Sequence, residues 1–130
     1  MKILVGYDGS DVAKEALAVA QNHAKIYNAS VDVVTSMTKG DEDDLEDIEN
    51  AKGGLEYAKT LFDKENIPCE THLLIRGLSP GEDIVRFAGT NNIDEIIVGV
   101  KKVSKVGKFL LGSTAQYVIL KAHCPVVTVK

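Results

Sequence analysis

The stretch KILVGYDGS, residues 2–10, combines a short apolar run with the residue types that begin a helix. The run ILV at residues 3–5 has no polar interruption, which is typical of a strand covered on both faces. We therefore predict a strand over Lys2–Tyr7. Ser10 is a preferred helix N-cap, and a helix of about 16 residues ending near Tyr27 is predicted to follow it. A buried strand that leads directly into a helix is the first half of a parallel strand–helix–strand unit.

The same alternation of short apolar runs and longer helical stretches continues through the rest of the sequence. The other predicted strands are Val31–Ser36, Cys69–Ile75, Glu95–Val98 and Pro125–Val129. The other predicted helices run from the polar loop Met37–Asp47 to about Glu65, from Ser79 to about Gly89, and from Ser113 to His123. We predict one domain over residues 1–130 with an α/β fold, because repeated strand–helix units form parallel sheets through right-handed crossovers. The expected sheet is open, five-stranded and parallel, of order 3-2-1-4-5, with helices on both faces in a Rossmann-like arrangement.

Three local patterns in the helices carry further expectations. The first helix has a set of residues at helical spacing that should face the sheet: Val12, Ala16, Val19, Ala20 and His23. Ser79 with Glu82 three residues later predicts a capping box at the start of the third helix. The pair Gly53-Gly54 in the second helix indicates either a weak helix or a close approach of another part of the chain.

Charge is distributed unevenly along the sequence. Residues 96–130 contain six lysines and none of the 19 acidic residues, although the whole chain carries a net charge of −4. A positive segment on an acidic protein favours a local anion site over a nucleic-acid surface, and chance or a patch that balances nearby acids is the alternative. No apolar run is long enough to span a membrane, and no signal segment precedes the first predicted strand. We expect a cytoplasmic protein that engages neither nucleic acid nor membrane.

Residues that could perform catalysis or bind a metal are few. Cys69 and Cys124 lie far apart without a CxxC pattern, so reduced thiols are expected. The three histidines, at positions 23, 72 and 123, have no shared neighbourhood in the sequence, and no GxSxG motif is present. We name no catalytic residue and no metal ligand. The acidic segment Asp41–Asp47 is expected to be a solvated loop, with Mg²⁺ binding over the site as the alternative.

The predicted sheet order places a ligand site where the first and fourth strands end, because the strand order reverses there. Asp8 follows the first strand and is a candidate to accept hydrogen bonds from a base or ribose, or to cap the following helix. Gly99 ends the fourth strand and allows a close approach of backbone to a ligand. Gly112-Ser113-Thr114 opens the last helix, whose free N–H groups favour phosphate. A turn with an ordinary N-cap is the alternative there.

The spacing of these residues resembles the nucleotide-binding motif of the universal stress protein family. That motif is a glycine, two residues, a glycine, nine residues, and then glycine with serine or threonine. Here Gly99 and Gly112-Ser113 are in register, and the middle glycine is replaced by Lys102. The opening VGYDGS at residues 5–10 and the closing CPVVTV at residues 124–129 also resemble the family's first and last strands. The resemblance covers the whole chain.

The resemblance implies an adenine nucleotide of the ATP or AMP type, with or without Mg²⁺, and a homodimer. Asp8 and the backbone near Ser36 would contact the base, and Gly99 the ribose. The phosphates would contact Lys102, Gly112, Ser113 and Thr114. The dimer would pair through the last strand, at Val126, Val127 and Val129.

Three hypotheses on function follow. The first is a regulatory stress-response module that binds the nucleotide. The second is a nucleotide-free dimer that binds an unknown protein partner, with Lys102 closing the ATP site. The third is a slow ATPase, for which no residue is available to activate a water.

Overall fold

A computed structural model of the protein describes residues 1–101 and 111–130. The strands are β1 (Lys2–Gly6), β2 (Ser30–Ser36), β3 (Cys69–Leu74), β4 (Glu95–Gly99) and β5 (Val126–Val129). The helices are α1 (Asp11–Tyr27), α2 (Leu45–Lys64), α3 (Pro80–Thr90) and α4 (Ser113–Lys121), with a short 3-10 helix at Glu42–Asp44 before α2. The strands form one sheet of order β3-β2-β1-β4-β5, and each neighbouring pair is parallel. The predicted fold class and strand order are confirmed.

Each face of the sheet is covered by its own apolar cluster, because side chains alternate between the two faces along a strand. Ile3 and Val5 of β1 pack in the cluster that contains the buried residues of α1 and α2. Leu4 packs in the other cluster, with the buried residues of α3 and with Val118 of α4. The helices therefore lie on both faces, as predicted, and the ends of the strands stay open between them.

The buried face of α1 differs from the predicted one. Its fully covered residues are Ala13, Ala16, Leu17, Ala20 and Ala24, so two of the five predicted positions are confirmed. Val12, Val19 and His23 are only half-buried at the edges of this face. The buried stripe consists of four alanines and Leu17. Small side chains let α1 lie close to the sheet.

The acidic segment before α2 begins the helical region instead of forming a loop. The Asp41 carboxylate accepts a hydrogen bond from the N–H of Asp43 at 3.0 Å, and the Asp44 carboxylate accepts one from the N–H of Asp41 at 3.3 Å. These acids cap the 3-10 helix, and α2 then begins at Leu45. The predicted loop Met37–Asp47 was therefore too long.

The predicted capping box of α3 is also wrong. Ser79 is the N-cap residue, but its hydroxyl donates to Glu82 Oε1 at 2.8 Å and makes no side-chain bond to the helix backbone. The close approach expected at Gly53-Gly54 exists at Gly54 alone. A Cβ built there would lie 3.1 Å from Cε2 of Tyr7, whereas one at Gly53 would meet nothing within 4 Å.

Candidate functional site

A cleft of about 280 Å³ lies at the carboxyl ends of β1 and β4, where the strand order reverses. Its lining combines apolar side chains, among them Val34, Ile84 and Val98, with polar ones. The sequence-predicted site residues within the described part of the chain all line it: Asp8, Ser36, Gly99, Gly112, Ser113 and Thr114. The seventh, Lys102, lies outside the described residues.

The β1 end of the cleft is held by backbone bonds to β2. The N–H of Tyr7 donates to the Val34 carbonyl at 2.9 Å, and the Tyr7 carbonyl accepts from the Thr35 hydroxyl at 2.8 Å. Gly9 then turns the chain toward α1 with a φ of +80°, a conformation that residues with a side chain rarely adopt. This turn places Asp8 at the mouth of the cleft.

Asp8 is a half-exposed carboxylate with partners on both oxygens. Its Oδ1 accepts from the N–H of Ser10 at 3.0 Å, and its Oδ2 lies 3.1 Å from Nζ of Lys101. Partial burial acts to raise the pKa of Asp8, but the hydrogen bonds from Ser10 and the ammonium of Lys101 outweigh it and lower the pKa below its ordinary value of 3.8. Asp8 is therefore ionised at neutral pH and acts as a hydrogen-bond acceptor only.

The two glycines of the predicted motif have different surroundings. A Cβ at Gly99 would lie 3.0 Å from the backbone carbonyl carbon of Val12 and 3.0 Å from its Cγ2. Glycine is therefore required there by the packing of β4 against α1. Gly112 has an extended backbone (φ −63°, ψ 157°), and a Cβ there would meet no atom of residues 1–101 and 111–130 within 4 Å. Its missing side chain leaves space at the edge of the cleft.

The N-terminus of α4 forms the opposite end of the cleft. Gly112 is its N-cap and has no side chain to accept a hydrogen bond, and no acidic residue lies in the first turn. The first N–H groups of a helix have no partner within the helix and carry the positive end of its dipole. Ser113 and Thr114 add hydroxyl groups to the same wall. This end of the cleft suits an anion.

Ser36 is fixed by a buried ionic group that the sequence did not reveal. Its hydroxyl donates to Oδ2 of Asp83 at 2.7 Å, and Nε of Arg76 donates to Oδ1 of Asp83 at 2.7 Å. The Asp83 side chain is fully buried. The only sequence signal for this arrangement is that Asp83 is an acid in the first turn of α3. The partners of Asp83, Ser36 and Arg76, become evident only in the assembled fold.

A second cleft of about 610 Å³ adjoins the first and shares the lining residues Tyr7, Asp8, Ser36 and Pro80 with it. It extends between the end of β2 and the beginning of α2, where Asp44 and Asp47 line it.

The described residues contain one group of three potential metal ligands, Asp32, Glu70 and His72, and it lies away from this cleft. The histidines do not assemble a catalytic site. His23 Nδ1 lies 2.6 Å from Oε1 of Glu95, and His72 Nε2 lies 2.9 Å from Oδ1 of Asp32. Both cysteines are free thiols. No helix in the described ranges has the length and apolar character needed to cross a membrane.

Comparison with known proteins identifies the family. A model of the universal stress protein family matches residues 1–130. The chain belongs to this family. A universal stress protein of Thermus aquaticus is 35% identical over 134 residues, covering 98% of this chain and 97% of that protein.

Two solved structures of universal stress proteins from Archaeoglobus fulgidus resemble this one over its whole length. The first has a TM-score of 0.91 and 40% identity, and it covers 100% of this chain and 98% of its own. The second is a complex with dAMP, with a TM-score of 0.84, 38% identity and the same coverage of both chains. Each supports the predicted family and fold.

Proposed function

We propose that this universal stress protein binds an adenine nucleotide in the cleft between β1, β4 and α4, and that it acts in the cytoplasm as a regulatory stress-response module. The observation that carries the proposal is the convergence of Asp8, Ser36 and Gly112–Thr114 on one cleft. The dAMP complex of a relative that is 38% identical supports the choice of an adenine nucleotide.

The chemistry of the cleft assigns an orientation to the ligand. The phosphate belongs at the N-terminus of α4, because the uncapped N–H groups and the helix dipole favour negative charge there. The ionised Asp8 at the other end repels phosphate and accepts hydrogen bonds from the adenine amino group or a ribose hydroxyl. Gly99 lines the floor between them, although its packing against Val12 already accounts for the glycine.

The test is calorimetric titration of the dialysed protein with AMP, dAMP and ATP, with and without Mg²⁺. Saturable binding that Gly112→Val weakens at least tenfold, about 1.4 kcal/mol, supports the proposal. Gly89→Val is the matched control, because a Cβ at this exposed glycine of α3 also meets no atom of the described residues within 4 Å and Gly89 is not among the residues that line the cleft. The absence of heat with every nucleotide would refute it.

The alternative is a family member without a nucleotide, in which Lys102 closes the site. This residue lies outside the described part of the chain, so the discriminating experiment is the substitution Lys102→Gly. Nucleotide binding that appears only in the variant would establish the alternative. Equal binding by the two proteins would exclude it.

We also propose that the protein is a homodimer paired through β5. In the described residues β5 pairs only with β4, so its outer edge has no strand neighbour, and Val126, Val127 and Val129 remain half-buried in the single chain. The carbonyls of Pro125 and Val129 point toward β4, where they accept from Ile96 and Val100. Thr128 therefore directs its N–H to the free edge, since alternate residues of a strand point to opposite neighbours.

Sedimentation at micromolar concentration tests the dimer. The wild-type protein is expected to sediment as a dimer and Thr128→Pro as a folded monomer, because proline removes the outward donor and keeps the bonds to β4. A monomeric wild-type protein, or a Thr128→Pro variant that remains dimeric, would contradict pairing through this edge.

A further inference from the structure

Three metal-ligating side chains meet at the amino ends of β2 and β3, at the opposite end of the sheet from the nucleotide cleft. Asp32 lies on β2, and Glu70 and His72 lie on β3. The strand register places Asp32 beside Glu70 and Val34 beside His72. Because residues two apart on a strand share a face, all three side chains project from the same side of the sheet.

The ligand atoms of this group converge on one point. One nitrogen of His72 and one carboxylate oxygen each of Asp32 and Glu70 lie within 4.8 Å of one another. His72 Nε2 and Asp32 Oδ1 are 2.9 Å apart, close to the separation of two adjacent ligands on one ion with bonds of about 2.1 Å. Glu70 is exposed, and its carboxylate oxygen lies within 4.8 Å of the other two ligand atoms.

Two of the three side chains in this group are carboxylates of like charge. Asp32 is 6% exposed and lies directly across from Glu70 on the neighbouring strand, an arrangement of like charges that is unfavourable. Lys2 is the cation that lines the adjoining cavity, but its ammonium donates to the Asn91 carbonyl at 2.8 Å. His72 contributes one hydrogen bond to Asp32. A dication would balance both carboxylates.

The surroundings also provide space and orientation. A cavity of about 140 Å³, lined by Asp32 and Glu70, adjoins the group and leaves room for an ion and its water ligands. The His72 ring packs against Phe87 of α3 with the ring centroids 4.8 Å apart, which fixes the direction of its nitrogens. A histidine held in this way is a pre-oriented ligand.

We propose that Asp32, Glu70 and His72 bind one divalent transition-metal ion, which joins the edge strand β3 to β2. Imidazole with two carboxylates suits zinc and its first-row neighbours, whereas magnesium prefers oxygen ligands alone. Three protein ligands leave the remaining coordination positions to water. The site is separate from the nucleotide cleft, so its occupation does not require a nucleotide.

The experiment is calorimetric titration of the full chain with ZnCl₂ after dialysis against a chelator and then metal-free buffer. We expect one zinc per chain, and a loss of affinity of at least tenfold in Glu70→Gln and in His72→Gln. Glu70→Gln is the primary variant, because this exposed side chain makes no contribution to the core. His123→Gln and Glu56→Gln, two exposed positions outside the group, are the matched controls and should bind zinc as the wild type does.

Thermal unfolding supplies a second measurement that does not depend on binding heats. Zinc should raise the midpoint of the wild type and of Gly112→Val but not that of Glu70→Gln, because only a folded site binds the ion. No saturable zinc binding at micromolar concentrations, or binding that Glu70→Gln and His72→Gln leave unchanged, would overturn the proposal. Gly112→Val separates it from the nucleotide proposal, since that variant affects the cleft alone.

Discussion

Gly99 and Gly112 belong to the same motif, and the structure predicts that replacing them has opposite consequences. In Gly99→Ala the new Cβ lies 3.0 Å from the Val12 carbonyl carbon, a backbone atom that cannot rotate away. The N-terminal turn of α1 must then shift against β4. Overpacking of this kind costs about 1–3 kcal/mol.

In Gly112→Val the new Cβ meets no atom of the described residues within 4 Å, and the backbone at φ −63° is allowed for every residue type. We expect the free energy of unfolding to stay within about 0.5 kcal/mol of the wild type. The side chain instead occupies the end of the cleft where we place the phosphate. Affinity for AMP should therefore fall at least tenfold, about 1.4 kcal/mol.

Circular dichroism melts and calorimetric titrations of the two variants measure both quantities. Gly99→Ala should lower the unfolding midpoint by roughly 4–12 °C, taking about 4 °C per kcal/mol for a chain of this size. Gly112→Val should melt with the wild type and bind AMP weakly. An unchanged unfolding midpoint in Gly99→Ala would refute the conclusion that Gly99 is needed for packing against α1. A Gly112→Val midpoint lowered as much as that of Gly99→Ala would refute the conclusion that Gly112 only leaves space in the cleft.

Further predictions concern the charged and thiol groups. Asp83→Ala should destabilise the protein by about 1–3 kcal/mol in urea unfolding because it removes the buried carboxylate that accepts hydrogen bonds from Ser36 and Arg76, whereas the exposed control Glu82→Ala should cost less than about 1 kcal/mol. The pKa of Asp8, measured by NMR, should lie below 3.8. The stability that ionised Asp8 contributes is then present above pH 3.8 and is lost as the pH falls through the lowered pKa. The substitution Lys101→Met should raise this pKa, because it removes the ammonium beside the carboxylate. Burial raises the pKa of Cys69 to about 11, so this thiol should react slowly with a disulfide reagent in the folded protein at neutral pH and quickly after unfolding.

The fold could be predicted from local patterns because each strand and helix carries its own signal. The apolar run at residues 3–5 and the helix start at Ser10 identify a strand–helix unit without reference to the rest of the chain. The handedness of crossovers then leaves few possible strand orders. The errors were also local. The acids from Asp41 onward cap a helix instead of forming a loop, and the Ser79 hydroxyl donates to Glu82 where it was expected to accept.

The candidate site could be predicted only in part, because side-chain pairings depend on the assembled sheet. Asp8 and Gly112 were predicted together because the ends of parallel strands meet at one edge. The bond from Ser36 to Asp83 joins residues 47 positions apart, and that between His72 and Asp32 joins residues 40 apart. No local pattern encodes such pairs, since they depend on the register between strands and on how α3 lies across them.

Among the described residues, the charges that line the cleft favour a backbone site for the phosphate of the proposed nucleotide. Among the described lining residues, the Lys101 ammonium is the only side-chain cation, and it pairs with Asp8 at 3.1 Å. The uncapped N-terminus of α4 is then the remaining positive feature at that end of the cleft, and it consists of backbone N–H groups. A backbone anchor requires glycine at the N-cap and small polar residues after it, which is what Gly112-Ser113-Thr114 provides.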